Sequence, residues 1–86
     1  MDDVWVADSE RGTLTRLSFG AGEDETPVWS PDGRFVAWAS STSDMIRGIL
    51  RRPADGSGKE ELLWKLDKHA HLREWLPDGR SLLLEI

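Results

Sequence analysis

Pro27-Val28-Trp29-Ser30-Pro31-Asp32-Gly33-Arg34-Phe35-Val36-Ala37-Trp38-Ala39-Ser40 is the stretch that decides the reading of this 86-residue chain. Its middle, Pro31-Asp32-Gly33, is a turn signal, with glycine available for the φ > 0 position of a tight hairpin. The run from Phe35 to Ala39 is almost continuously apolar, as a strand buried on both faces reads. The stretch also recurs. Val28-Trp29-Ser30-Pro31-Asp32-Gly33-Arg34 returns as Glu74-Trp75-Leu76-Pro77-Asp78-Gly79-Arg80, with Trp75 placed 46 positions after Trp29. Upstream, Val4-Trp5-Val6 returns as Ile49-Leu50-Arg51 at an offset of 45, and Leu14-Thr15-Arg16-Leu17 as Glu60-Glu61-Leu62-Leu63 at 46. One residue is therefore inserted in the later turn.

A period in the mid-forties built from short strands is that of one four-stranded β-propeller blade. Runs rich in Val, Ile, Trp, Leu and Thr, bounded by turn residues, predict strands over 3–8 and 13–19, 27–30 and 35–40, 46–52 and 60–66, and 72–76 and 81–86. Glu10-Arg11-Gly12 and Asp55-Gly56-Ser57-Gly58 mark further hairpins, and Gly20-Ala21-Gly22 opens a longer loop. A helix over 59–69 competes with the strand there. The matching segment 13–19 is Thr-rich and has β character, which favours the strand.

The quoted stretch resembles the PD40 repeat, the WD40-like, TolB-type propeller repeat of the form Pro-x-Trp-Ser-Pro-Asp-Gly followed by an apolar-Ala-aromatic strand. Asp3-Val4-Trp5-Val6-Ala7-Asp8 is similar to the third strand of that repeat, and Thr15-Arg16-Leu17-Ser18 to the end of its fourth. The second copy departs from the pattern. Leu76 replaces Ser30, Arg73 replaces Pro27, and Leu83-Leu84 replaces the Ala-aromatic pair. The resemblance implies a propeller with strand a nearest the central channel and strand d outermost. It also implies diverse roles: periplasmic envelope complexes, gating domains of prolyl-oligopeptidase-type peptidases, and extracytoplasmic parts of bacterial signalling proteins. Fold alone does not choose among them.

In these terms the chain is all-β and holds two blade-equivalents in the strand order c-d-a-b-c-d-a-b. Residues 1–19 form a half blade (c-d), 27–66 a complete blade (a-b-c-d), and 70–86 a half blade (a-b). Two periods of 46 would take 92 residues, six more than the 86 present, and the internal b-to-c loop near Ser41 to Met45 has about that length. The phase predicts head-to-tail homo-oligomerisation, the a-b hairpin of one copy completing a blade with the c-d hairpin of the next. A heterologous contact of this kind must close into a ring or grow without limit. Three copies give six blades, the favoured homotrimer because TolB-like propellers are six-bladed, and four give eight, the homotetramer. The flush ends point to an excised or engineered fragment, and the unequal copies argue against an idealised consensus design.

Composition agrees with an assembling module. A chain this short buries a modest fraction of its surface and needs a staple, and with no cysteine that staple is not a disulfide. Sixteen acidic and eleven basic residues, a net charge of −5, argue against a nucleic-acid partner or an anionic membrane surface. No apolar run approaches the roughly 20 residues of a spanning helix. The start, Met1-Asp2-Asp3-Val4-Trp5, lacks the features of a signal peptide, although the parent protein could be periplasmic or extracytoplasmic. Five tryptophans beside no tyrosine mark dense packing.

Candidate sites are few. His69-Ala70-His71 is the single His pair, and on a strand His69 and His71 would point the same way and could share a metal at the channel mouth. The bland reading, two solvated histidines in a d-to-a loop, is preferred. Gly22-Glu23-Asp24-Glu25 reads as a solvated acidic loop without the spacing of a calcium loop. Arg47, Arg51 and Arg52 read as a basic cluster that binds an anion or, by default, pairs on the surface with Glu60, Glu61 or Glu85. Ser30, Ser40, Ser41 and the histidines form no nucleophile elbow, which needs Gly-x-Ser-x-Gly. Trp29, Trp38 and Trp75 are expected in the inter-blade core, and Trp64 exposed on the outer strand. The expectation is a non-catalytic scaffold or interaction module that needs no cofactor. Two alternatives stand beside it: an accessory or gating propeller of a peptidase-type enzyme or bacterial signalling protein, and metal or anion binding at the channel mouth.

Overall fold

A computed structural model describes residues 3–19, 23–41, 46–67 and 70–86, the side chains of Ile46 and Arg47 excepted. The described residues hold eight strands and no helix: β1 (Trp5–Asp8), β2 (Thr13–Arg16), β3 (Glu23–Trp29), β4 (Phe35–Ser41), β5 (Ile46–Pro53), β6 (Glu61–Lys65), β7 (His71–Trp75) and β8 (Leu82–Glu85). They form three antiparallel sheets, β1-β2, β3-β4-β5-β6 and β7-β8. The fold is all-β and made of propeller blade-equivalents. The segment over 59–69 that could have been helical carries β6.

Each of the four hairpin turns among the described residues is fastened by an aspartate whose carboxylate accepts backbone amides just beyond it. Asp8 takes those of Glu10 and Arg11, Asp32 that of Arg34, Asp55 that of Ser57, and Asp78 those of Arg80 and Ser81, all within 3.1 Å. In the two Pro-Asp-Gly turns the glycine amide also closes a backbone bond, Gly33 to the Ser30 carbonyl and Gly79 to that of Leu76. Both glycines lie at φ near +75°, where a side chain would be strained. The copies differ in how the carboxylate is held. The Ser30 hydroxyl donates to Asp32 and accepts from the Phe35 amide. Leu76 can do neither, and Ser81, at the position of Phe35, donates to Asp78 instead.

The central sheet supplies the core to both of its neighbours. Alternation along β4 turns Val36 and Trp38 to one face and Ala37 and Ala39 to the other, and β5 does the same with Leu50 and Ile49. Val4 and Leu17 of the N-terminal hairpin pack on the first face, with Val6 beside them. Ala70, Leu72 and Trp75 of the C-terminal hairpin pack on the second, with Leu82 and Leu84. The continuous apolar run is thus explained: Trp38, fully buried, belongs to one interface and Ala37 to the other.

The central sheet begins at Glu23, not at Pro27. Glu23, Asp24 and Glu25 pair with Ser41, Ser40 and Ala39, and Asp24 is buried. This corrects the expectation of a solvated acidic loop; Gly22 lies outside the described residues. Strand propensity is a statement about packing, and the small partners on β4 leave these carboxylates room on the sheet. A bulge between Glu25 and Val28 has its counterpart between Leu72 and Glu74 in the second copy. A further irregularity falls between Ile49 and Leu50, next to Gly48, where β6 lies so close that an added Cβ would be 2.1 Å from the Trp64 carbonyl oxygen.

Candidate interaction surface

The chemistry available on this molecule is that of its uncovered sheet faces. Trp29 lies opposite Val36 and so on the face that carries Trp38. Its repeat counterpart, Trp75, occupies the same place in the second copy. Trp75 is 7% exposed because the central sheet covers it, whereas Trp29 is 54% exposed. The expectation that Trp29 belongs to the core is therefore not met within one chain. Among the described residues, no a-b hairpin lies on the N-terminal side of β3. Trp5 and Leu50 make a second such pair, 49% and 3% exposed.

Trp5, Ala7, Leu14 and Arg16 share the far face of the β1-β2 hairpin, since Trp5 pairs with Arg16 and Ala7 with Leu14. The Arg16 guanidinium lies 5.8 Å from the Trp5 ring centroid and 4.9 Å from that of Phe19, and donates to Asp3 and to the Ser18 carbonyl. The far face of β7-β8 is more polar. Arg73 pairs there with Glu85, which holds the Glu85 carboxyl below its usual range. Among the described residues β1 pairs only with β2, and β8 only with β7.

Between the central sheet and the C-terminal hairpin lies a mainly apolar cleft of about 550 Å³, lined by Leu63, Trp64, Trp75, Leu82 and Leu84, with Arg51 and Arg80 at its rim. Trp64 is exposed there, as expected of the outer strand.

No family model matches the chain. A solved structure described as TolB, from Agrobacterium tumefaciens, matches with a TM-score of 0.66 at 32% identity, over 80% of this chain and 24% of its own. The chain carries TolB-type β-propeller repeats. Its sequence is 35% identical over 83 residues to tricorn protease homolog 1 of Streptomyces coelicolor, covering 96% of this chain and 8% of that protein. An uncharacterised protein of Agrobacterium fabrum is 37% identical over 60 residues, which is 70% of this chain and 20% of the relative. An uncharacterised peptidase of Bacillus subtilis is 25% identical over 84 residues, 98% of this chain and 13% of the relative. The chain spans less than a quarter of each.

The remaining candidates take ordinary places in the TolB-type repeats. The basic cluster on β5 divides, because successive strand residues face opposite ways. Arg51 pairs with Glu61 and lies 4.4 Å from the Phe35 ring centroid on the cleft side. Arg52, on the other side, donates to the carbonyls of Leu17, Gly56 and Gly58 and ties the N-terminal hairpin down. The Arg47 side chain lies outside the described residues. His71 opens β7 opposite Glu85, and His69 lies outside the described residues. Among the described residues no three metal-ligating side chains gather. Ser30 is held in its turn, and the Ser40 hydroxyl is buried without a partner. No helix among the described residues is long and apolar enough to cross a membrane.

Proposed function

We propose that this chain is a non-catalytic propeller module that acts by presenting surfaces and completes its blades with further copies of itself. The observation that carries the reading is the Trp29–Trp75 pair. Equivalent tryptophans differ in exposure, 54% against 7%, and the central sheet packs on the buried one. An a-b hairpin like β7-β8 is the cover that Trp29 lacks, and the chain carries one. Closure with three copies gives six blades and is favoured; four copies give eight. Light scattering and native mass spectrometry of the 86-residue chain test this. Three copies of 9.7 kDa, about 29 kDa, are expected, and a folded monomer at all concentrations rejects it.

A second reading draws on the relatives. Two of them are named as a protease homolog and a peptidase, and both are far longer than this chain. In that reading the repeats belong to an accessory propeller that gates substrate to a catalytic domain. The parent reading frame tests it: a hydrolase domain beside the repeats supports gating, and a solitary propeller counts against it.

A further inference from the structure

We infer that β8 of one copy pairs with β1 of the next in one register, Leu84 opposite Trp5 and Leu83 opposite Val6, and that this seats Trp5 in the cleft between Trp64 and Trp75. The inference rests on the ring reading and adds to it the joining strands, their alignment and the occupant of the cleft.

The register comes from the chain's own complete blade. There β4, strand b, pairs with β5, strand c, with Trp38 opposite Leu50, Ala37 opposite Arg51 and Val36 opposite Arg52. Moving β4 forward by 46 positions gives β8, and moving β5 back by 45 gives β1. The same ladder then reads Leu84 opposite Trp5, Leu83 opposite Val6 and Leu82 opposite Ala7.

Three observations agree with this alignment. First, the faces match. Leu84 and Leu82 turn toward their own central sheet, and Trp5 and Ala7 turn away from theirs. In a blade shared by two copies these directions are the same side. Leu83 and Val6 likewise share the other side. A slip of one residue would send every side chain to the wrong face. Second, the sizes match. The complete blade sets a tryptophan on b against a leucine on c, and the joint sets a leucine on b against a tryptophan on c, so the pair keeps its volume while its members change strands. Third, the place matches. Leu82 and Leu84 line the cleft, so their strand partners arrive directly over it. Leu14, on the same face as Trp5, follows toward Trp64. The fit of β8 to β1 in face, volume and position is what identifies the occupant as a second copy.

The absence of cysteine makes the register readable by cross-linking. A Leu83→Cys/Val6→Cys variant brings two thiols opposite each other across an antiparallel pair, where Cα atoms lie about 4.5–5.5 Å apart and a disulfide closes without strain. The two hairpins of one chain lie on opposite faces of the central sheet, so only links between copies form. Oxidation is expected to give a ladder of covalent multimers ending at the ring. A Leu83→Cys/Ala7→Cys control, one residue out of alignment and on the opposite face, is expected to give less than about a tenth of it. Equal or better linking through Ala7→Cys, in protein that native mass spectrometry shows to be assembled, overturns the register and leaves the ring standing. A monomeric unsubstituted chain overturns both. Should the double variant not fold, hydrogen exchange on the unsubstituted chain reads the same contact. Amides of 4–8 and 82–86 are expected to gain about tenfold or more protection from dilute to concentrated protein, and unchanged exchange overturns the inference.

Discussion

The hydroxyl of Thr26 accepts a hydrogen bond from the amide of Leu72 over 3.2 Å, and the two residues hold the same position in successive repeats. One blade thereby grips the next through equivalent points of their bulges. Thr26 adopts a φ of 52° there, a conformation that branched side chains rarely take.

Thr26→Val keeps the branched shape and removes the acceptor. It is expected to lower stability by about 1–2 kcal/mol, the cost of leaving a buried amide less well satisfied. Urea unfolding of the two proteins at equal concentration checks this, and equal midpoints would reject the grip.

The turn aspartates predict acid sensitivity. The Arg80 amide, with the Ser81 hydroxyl and amide, holds the Asp78 carboxyl at about 2, below its ordinary 3.8. The Ser30 hydroxyl lowers that of Asp32, and the Ser57 hydroxyl that of Asp55. A carboxyl lowered by folding contributes fully above its unfolded value, and the contribution is lost as pH falls through the folded one. The urea midpoint is therefore expected to fall between about pH 4 and about pH 2. Asp78→Asn, which cannot titrate, is expected to show a smaller fall, and an equal fall would count against the turn as its source.

Two glycines distinguish strain alone, at Gly33 (φ 76°), from strain joined by collision, at Gly48 (φ 138°). An added Cβ at Gly33 meets nothing within 4 Å, so Gly33→Ala is expected to cost about 1–2 kcal/mol through its positive φ alone. At Gly48 the same atom meets the backbone of β6, and Gly48→Ala is expected to unpair β6. Circular dichroism and thermal unfolding of the two variants distinguish these outcomes.

Arg52 predicts a local effect. Arg52→Met keeps most of the apolar stem and removes the three donors that reach Leu17, Gly56 and Gly58. Amides of β1 and β2 are expected to exchange faster while those of β7 and β8 do not change. Uniform acceleration would show that Arg52 acts on the whole fold.

Assembly has an optical signature. Trp5, Trp29 and Trp64 are each about half exposed or more in one chain, and the proposed ring would cover them. Tryptophan emission is expected to move to the blue as concentration rises, and the shift is expected to shrink in Trp5→Phe and Trp29→Phe. A spectrum independent of concentration across an observed association would contradict the assigned faces.

Much of this architecture is legible in the chain because turns and alternation are local properties. Pro31-Asp32-Gly33 and its repeat mark two hairpins, and the unbroken apolar run from Phe35 to Ala39 announces a strand covered on both sides. The acidic start of β3 was not legible, because Glu23, Asp24 and Glu25 are poor strand formers that pair with Ser41, Ser40 and Ala39 across the sheet. The division of Arg51 from Arg52 could have been read from the period of two. The exposure of Trp29 could not, since the same motif is buried in one copy and open in the other. Burial there depends on which blade is adjacent, and no local pattern encodes that. The cleft was missed for a related reason: it forms between repeats, and its apolar lining looks like ordinary core in sequence.

The aspartate-fastened turns also bear on how the protein ages. Asp32-Gly33, Asp55-Gly56 and Asp78-Gly79 are Asp-Gly dipeptides, the aspartyl sequence most prone to form succinimide and then isoaspartate. That reaction begins when the glycine nitrogen attacks the preceding carboxyl group. In the folded chain each of these carboxylates is turned toward amides beyond its glycine and held there by hydrogen bonds, which restrains it from the geometry of attack. Peptide mapping after warm storage should find isoaspartate accumulating at these three turns faster in urea than in native buffer. The bonds that shape the hairpins would then also set the chain's chemical lifetime.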